Sequence, residues 1–140
     1  MNRSTMVGVL LAGLLLGGAA LAGAQNTPLE VTEILMGTTI EAGVPTSPAT
    51  SFSRTDPSIY CMVRFRNRTG AEGHIRIAFE RATEEPPTSG ARGRRFAFPA
   101  RSRYRTVSRG TPNRAPGAYR CVVRTEAGAV LSHQDFSITE

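Results

Sequence analysis

The sequence predicts an all-β fold: an antiparallel β-sandwich of about seven short strands, with one disulfide between its two sheets. Three observations carry this expectation. Residues 58–67, "SIYCMVRFRN", alternate strictly, with Ile59, Cys61, Val63 and Phe65 on one side and Tyr60, Met62, Arg64 and Arg66 on the other. Period two with one apolar face marks a half-buried strand. Similar runs recur at short spacing between Gly- and Pro-rich turns, and no amphipathic helix of even three turns is found. Finally, the two cysteines, Cys61 and Cys121, both fall on the apolar phase of such runs, one early and one late in the chain.

The elements follow in order. Residues 1–24, "MNRSTMVGVLLAGLLLGGAALAGA", carry one arginine (Arg3), an apolar middle and an Ala22-Gly23-Ala24 end. That pattern describes a secretory signal peptide cleaved after Ala24. The competing reading is an uncleaved anchor, for which the length is borderline and the Gly and Ala content thins the hydrophobicity. No cysteine lies near the cleavage site to accept a lipid, and nothing later is long and apolar enough to span a bilayer. Residues 25–140 are then one domain with one core, exported to the periplasm or secreted, touching the membrane only through the signal peptide before cleavage.

Within that domain, Leu29, Val31, Ile34 and Met36 mark a first strand over residues 26–37 with a shift of register in its middle. Residues 41–57 are rich in Pro, Ser, Thr and Gly and read as a long connection. The strand at 58–67 closes on Asn67-Arg68-Thr69-Gly70. Residues 74–80 repeat the pattern, with Ile75, Ile77 and Phe79 inward and His74, Arg76 and Glu80 outward. Residues 81–94 hold adjacent prolines and two glycines and read as an exposed loop. Phe96 and Phe98 mark a short strand. In "RSRYRTVS", residues 101–108, Arg101, Arg103 and Arg105 lie on one side and Tyr104 and Thr106 on the other. A turn-rich connection at 110–117 leads to a last pair of strands, 118–125 and 129–138, joined through Glu126-Ala127-Gly128.

An even pair of cysteines in a small exported domain is most simply a disulfide. In the chain-entropy model the loop it closes contributes roughly 4 kcal/mol, a large share of the ~5–15 kcal/mol margin of a domain. A redox or catalytic thiol would show Cys-x-x-Cys or a lone cysteine with histidine support, and neither pattern is present.

Gly117-Ala118-Tyr119-Arg120-Cys121 resembles the Gly-x-Tyr-x-Cys of immunoglobulin-like domains, in which a tyrosine stands two residues before the second cysteine of the inter-sheet bridge. The resemblance implies an immunoglobulin-like sandwich. Two positions depart from it: there is no tryptophan, so Ile75 or Ile77 would fill that core space, and Ala115 stands where an acidic residue is usual. A second resemblance covers more of the chain. "RSRYRTVSR", then "PGAYRCVVRTEAGAVLSHQDFSI", is similar to the end of a bacterial envelope family, domain-of-unknown-function family 2914. The matching positions are Pro116, Gly117, Tyr119, Gly128, Leu131, Phe136 and Ile138, with Tyr119 where that family has tryptophan. "FSRTDPSIYCMVRFRN" is similar to the family's entry into its central strand. That resemblance implies a place and a fold, and no reaction.

Little points to catalysis. His74 and His133 are the only histidines, and both read as surface residues. No metal-ligand spacing is present, no cofactor is implied, and there is no nucleophile elbow or phosphate-cradling glycine loop. Glu84 and Glu85 are neighbours on an extended loop and point apart. Asn67-Arg68-Thr69 fits a glycosylation sequon but reads more simply as a turn.

The net charge of +6 comes from 17 basic residues, every one an arginine. With the abundant Ala, Gly and Pro, this reflects codon usage in a GC-rich bacterial genome before it reports a ligand. Their spacing is still informative. Arg64, Arg66 and Arg68, then Arg101, Arg103 and Arg105, then Arg120 and Arg124 each line one side of a strand. If those strands neighbour each other, they form a candidate anion-binding face for envelope glycans or an envelope protein. Nucleic acid is not an expected partner after export. The plainer reading is a solvated face offset by Glu72, Glu80 and Glu126. The expected function is a non-catalytic binding or accessory module. The alternatives are a small envelope hydrolase or thiol-redox enzyme, or an inhibitor that inserts the loop 84–95 into a partner enzyme.

Overall fold

The computed structural model describes residues 28–83 and 92–140. The expected signal peptide, and Glu84 and Glu85 of the proline loop, lie outside the described residues. Among the described residues there are ten strands: β1 (Leu29–Gly37), β2 (Ile40–Glu41), β3 (Val44–Pro45), β4 (Ser51–Ser53), β5 (Ile59–Asn67), β6 (Gly73–Arg81), β7 (Arg94–Phe98), β8 (Ser102–Gly110), β9 (Gly117–Thr125) and β10 (Val130–Thr139). The all-β class is as expected from the alternation.

A three-stranded sheet of order β1-β5-β8 faces a five-stranded sheet of order β4-β10-β9-β6-β7, and β2 pairs with β3 in a small hairpin. The count exceeds the expected seven because the segment 41–57 is not a featureless connection. It carries β3 and β4, and β2 ends inside it. One pairing also breaks the expected antiparallel rule: β4 runs parallel to β10, with Phe52 level with Ile138. The short strand brings Phe52 into the core, edge-on to Phe136 at 5.8 Å, which offsets the cost of ordering it. The register shift expected in β1 is real and falls between Val31 and Glu33.

The core lies between the sheets. Ile59, Cys61, Val63 and Phe65 of β5 meet Ile75 and Ile77 of β6, Tyr119, Cys121 and Val123 of β9, and Phe136 and Ile138 of β10. Cys61 and Cys121 are bonded across the gap, 60 residues apart in sequence, with their Cα atoms 6.7 Å apart. Tyr119 stacks on Phe136 at 5.7 Å and donates its hydroxyl to the Ala115 carbonyl at 2.6 Å. That bond pins the approach to β9, as a tyrosine corner does. Ile75 and Ile77 are buried in this core.

Replacing Cys61 and Cys121 together by alanine is expected to lower unfolding stability by about 4 kcal/mol, measured by urea titration against the oxidised protein. A loss below about 1 kcal/mol would show that the core alone sets the sheet spacing.

Candidate anion-binding face

The pleat of β5 and β8 decides which arginines meet. Cys61 stands opposite Ser108 and Val63 opposite Thr106, all buried in the sandwich, and Phe65 stands opposite Tyr104, which shares that side but stays partly exposed at the rim. The alternate positions therefore point out, where Arg64 is level with Arg105 and Arg66 with Arg103. Successive pairs lie roughly 6.7 Å apart along the strands. Like charges directly opposite each other are destabilising in a sheet, by a few tenths to about 1 kcal/mol.

Acidic residues on β1 relieve only part of this. Glu33 is level with Arg64 and sits 3.3 Å from its Nε. Glu30 is level with Arg66 but turns to Arg68 at 3.2 Å. Arg105 donates to the Ala42 carbonyl at 2.8 Å, because the β2–β3 hairpin lies over this face. Met62, on the same outward phase, is nonetheless buried, and β3 packs against its strand. Gly43 at the hairpin tip has φ 75°, and a Cβ there would stand 3.1 Å from the Arg105 guanidinium. A side chain at position 43 would displace that arginine.

Arg66 and Arg103 are left over. The Arg66 Nε is buried and has no hydrogen-bond partner among the described residues. Arg103 is exposed and makes no hydrogen bond or ion pair among the described residues. Two open grooves meet at this pair. One, of about 380 Å³, runs along Thr32, Arg64 and Arg105, and the other, of about 480 Å³, along Asn67, Arg68, Arg101 and Ser102. Arg66 and Arg103 line both. Arg101 reaches the second groove from the turn before β8, where its φ is 46° and its N–H donates to Thr69 at 2.9 Å. Thr32 and the hairpin tip were not legible as site residues, although the register shift at Thr32 was.

Two candidates do not belong here. Arg120 and Arg124 lie on β9, in the opposite sheet. Arg120 has its Nε 3.3 Å from Asp135 Oδ1, without the alignment of a hydrogen bond. Arg124, expected to be outward and available, is buried and forms a forked pair with Glu80, itself buried rather than exposed. The physical reason is the register. Arg124 is level with Arg76, and Glu80 lies two pairs further along β6, beyond Ala78 and Val122. The arginine stem must cross those two apolar residues to reach its partner, and so covers them.

The sequon is a turn, as expected. The buried Asn67 amide donates to Ala71 and Pro99 carbonyls, both at 2.9 Å, and accepts from the Thr69 N–H at 3.0 Å and hydroxyl at 2.8 Å. On the outer face of the five-stranded sheet, Glu126 bridges Arg95 at 2.8 Å and Arg76 at 3.1 Å, and His74 Nδ1 is 3.2 Å from Arg95. The Arg95 hydrogen bond, helped by Arg76 and both charges, holds the Glu126 carboxyl below its usual range against opposing desolvation. Among the described residues, no group of three or more His, Cys, Asp or Glu could hold a metal.

Two outcomes follow for these ion pairs. Arg124→Met or Glu80→Gln alone is expected to cost about 3–5 kcal/mol, by stranding a buried charge or carboxylate partner. The double variant should recover most of that loss in a denaturation cycle, and additive losses would refute the coupling. Glu126 stabilises through a depressed carboxyl value, so its contribution is present above the unfolded-state value and lost as pH falls through the folded one. The melting difference between wild type and Glu126→Gln should therefore exist at neutral pH and vanish in acid. A difference that persists in acid rules this out.

No family model matches the chain, and no curated protein matches it. Among solved structures it is similar to a beta-glucosidase from Listeria innocua in complex with glucose, at 12% identity and a TM-score of 0.48, over 80% of this chain and 16% of that one. It is similar also to a beta-glucosidase from Kluyveromyces marxianus, at 11% identity and a TM-score of 0.48, over 80% of this chain and 14% of that one. The chain thus spans under a fifth of those enzymes' length, and a likeness this loose says nothing of activity here.

Proposed function

We propose that this chain is an exported bacterial envelope module that binds rather than reacts, and that its contact surface is the arginine face of β5 and β8. The supporting observation is the Arg66–Arg103 pair: two cations held level on neighbouring strands, with no acid between them. Such an arrangement costs stability unless an anion completes it.

The groove is lined by Thr32, four arginines and the segments at Phe65 and Tyr104. Arginine holds its proton throughout the physiological range, so this lining suits charge recognition better than proton transfer. An anionic glycan or an acidic patch on an envelope protein fits it. Export is supported by the leader pattern of residues 1–24 and by the Cys61–Cys121 bond, which suits an oxidising compartment. The envelope address draws on the resemblance to family 2914.

The test is retention of envelope components by the immobilised protein at physiological salt, compared with a variant in which Arg64, Arg66, Arg103 and Arg105 are all serine. Wild type is expected to hold anionic material that about 0.5 M salt releases, and the variant at least tenfold less. Equal recovery by both removes the arginine face as the contact surface.

A further inference from the structure

We infer that the Arg66–Arg103 pair is a seat for one doubly charged tetrahedral oxyanion, a phosphate monoester, carried by a molecule that lies in the two grooves. This rests on the reading of the arginine face as a contact surface and adds the chemistry of what it contacts.

The three levels of the face are not equivalent. At the first, Arg64 is neutralised by Glu33 and Arg105 is tied to the Ala42 carbonyl. At the third, Arg68 is paired with Glu30, and Arg101 sits in the turn rather than on the strand. Only the middle level presents two guanidinium groups without a partner among the described residues. Both grooves converge on these two residues and share no other lining residue.

The number of cations selects the anion. A carboxylate has one charge and two oxygens, and it satisfies one guanidinium fork. It would leave the second arginine as unmatched as before. A sulfate monoester has the oxygens but one charge. A phosphate monoester carries about −1.5 to −2 at neutral pH and three acceptor oxygens, enough to bridge two forks and balance both charges. On β1, Glu30 stands level with Arg66, its carboxylate turned to Arg68, and Glu33 stands level with Arg64, which disfavours extended polyanions that would run past them and favours a single charged group. The grooves on either side leave room for the neutral body that bears it, a sugar or a lipid headgroup.

A matched series of probes isolates the headgroup: phenyl phosphate, phenyl sulfate and benzoate, titrated calorimetrically at neutral pH and low salt. Phenyl phosphate is expected to bind at least tenfold more tightly than the other two. Arg66→Ser and Arg103→Ser should each abolish that preference, while Arg120→Ser on the opposite sheet leaves it intact. Both site variants remove a like-charge pair, so unchanged or raised melting temperatures will show that they fold. Source is resolved in two further arms, glucose 6-phosphate in solution and phosphatidylcholine vesicles with or without phosphatidic acid. Binding of the soluble sugar phosphate supports a free or glycan-borne phosphate, and binding confined to phosphatidic acid vesicles supports a lipid headgroup. Benzoate or phenyl sulfate binding as tightly as phenyl phosphate overturns the phosphate assignment. If envelope retention still depends on the arginines in that case, the contact surface stands and only its chemistry is wrong. If neither experiment depends on them, both fail.

Discussion

The bond between Cys61 and Cys121 sets the phase of both sheets. A strand has two faces and alternates between them, so one inward side chain dictates the direction of every other regular position. With Cys61 turned to the core, Ile59, Val63 and Phe65 must follow it, and Arg64 and Arg66 must face away. The same holds on β9, where Cys121 carries Tyr119 and Val123 inward. A slip of one residue in β5 would expose the apolar set and bury Arg64 and Arg66, so the register of the sandwich and the existence of the basic face are one constraint.

Three arginine environments on this scaffold show how neighbours decide what a charge does. Arg124 is buried, forked to Glu80 and covers Ala78 and Val122, so it acts as a structural element despite its type. Arg76 and Arg95 share Glu126 across neighbouring strands and clamp β7 to β6. Arg66 and Arg103 have the same strand geometry but no shared acid, because Glu30 turns to Arg68. The fold contains the means to neutralise opposed arginines and leaves one pair open. The contrast between Glu126 and its missing counterpart is stronger support for a ligand than the net charge, which codon usage can produce.

The small hairpin of β2 and β3 links these features. It runs into a stretch whose composition suggests only a connection, yet β3 packs against β5 and the tip receives Arg105. By holding Arg105 back it narrows the open part of the face to a single level. A Pro- and Gly-rich segment thus ties down one of the arginines, through a backbone carbonyl that has no side-chain signature.

Much of the fold was legible from period alone. The alternation in β5, β6, β8 and β9 identified the strands and their inward faces, and the pair of inward cysteines and Tyr119 pointed to two bridged sheets. The register shift in β1 was legible too, from a break in apolar spacing. Within the candidate site, the outward direction of Arg64, Arg66, Arg103 and Arg105 followed from the same alternation. What the sequence could not supply was adjacency. Period two states which side of a sheet a residue faces, but not which sheet the strand joins or what lies level with it. Pairing across β5 and β8 joins segments roughly forty residues apart, and only the packed structure sets it. That pairing placed four arginines together, while the membership of β9 in the other sheet and its register on β6 sent Arg120 and Arg124 to the opposite side and buried Glu80. The sequence determined the faces because side-chain direction is local. The tertiary structure alone decided the neighbours, because strand order and register are settled by burial of the whole core.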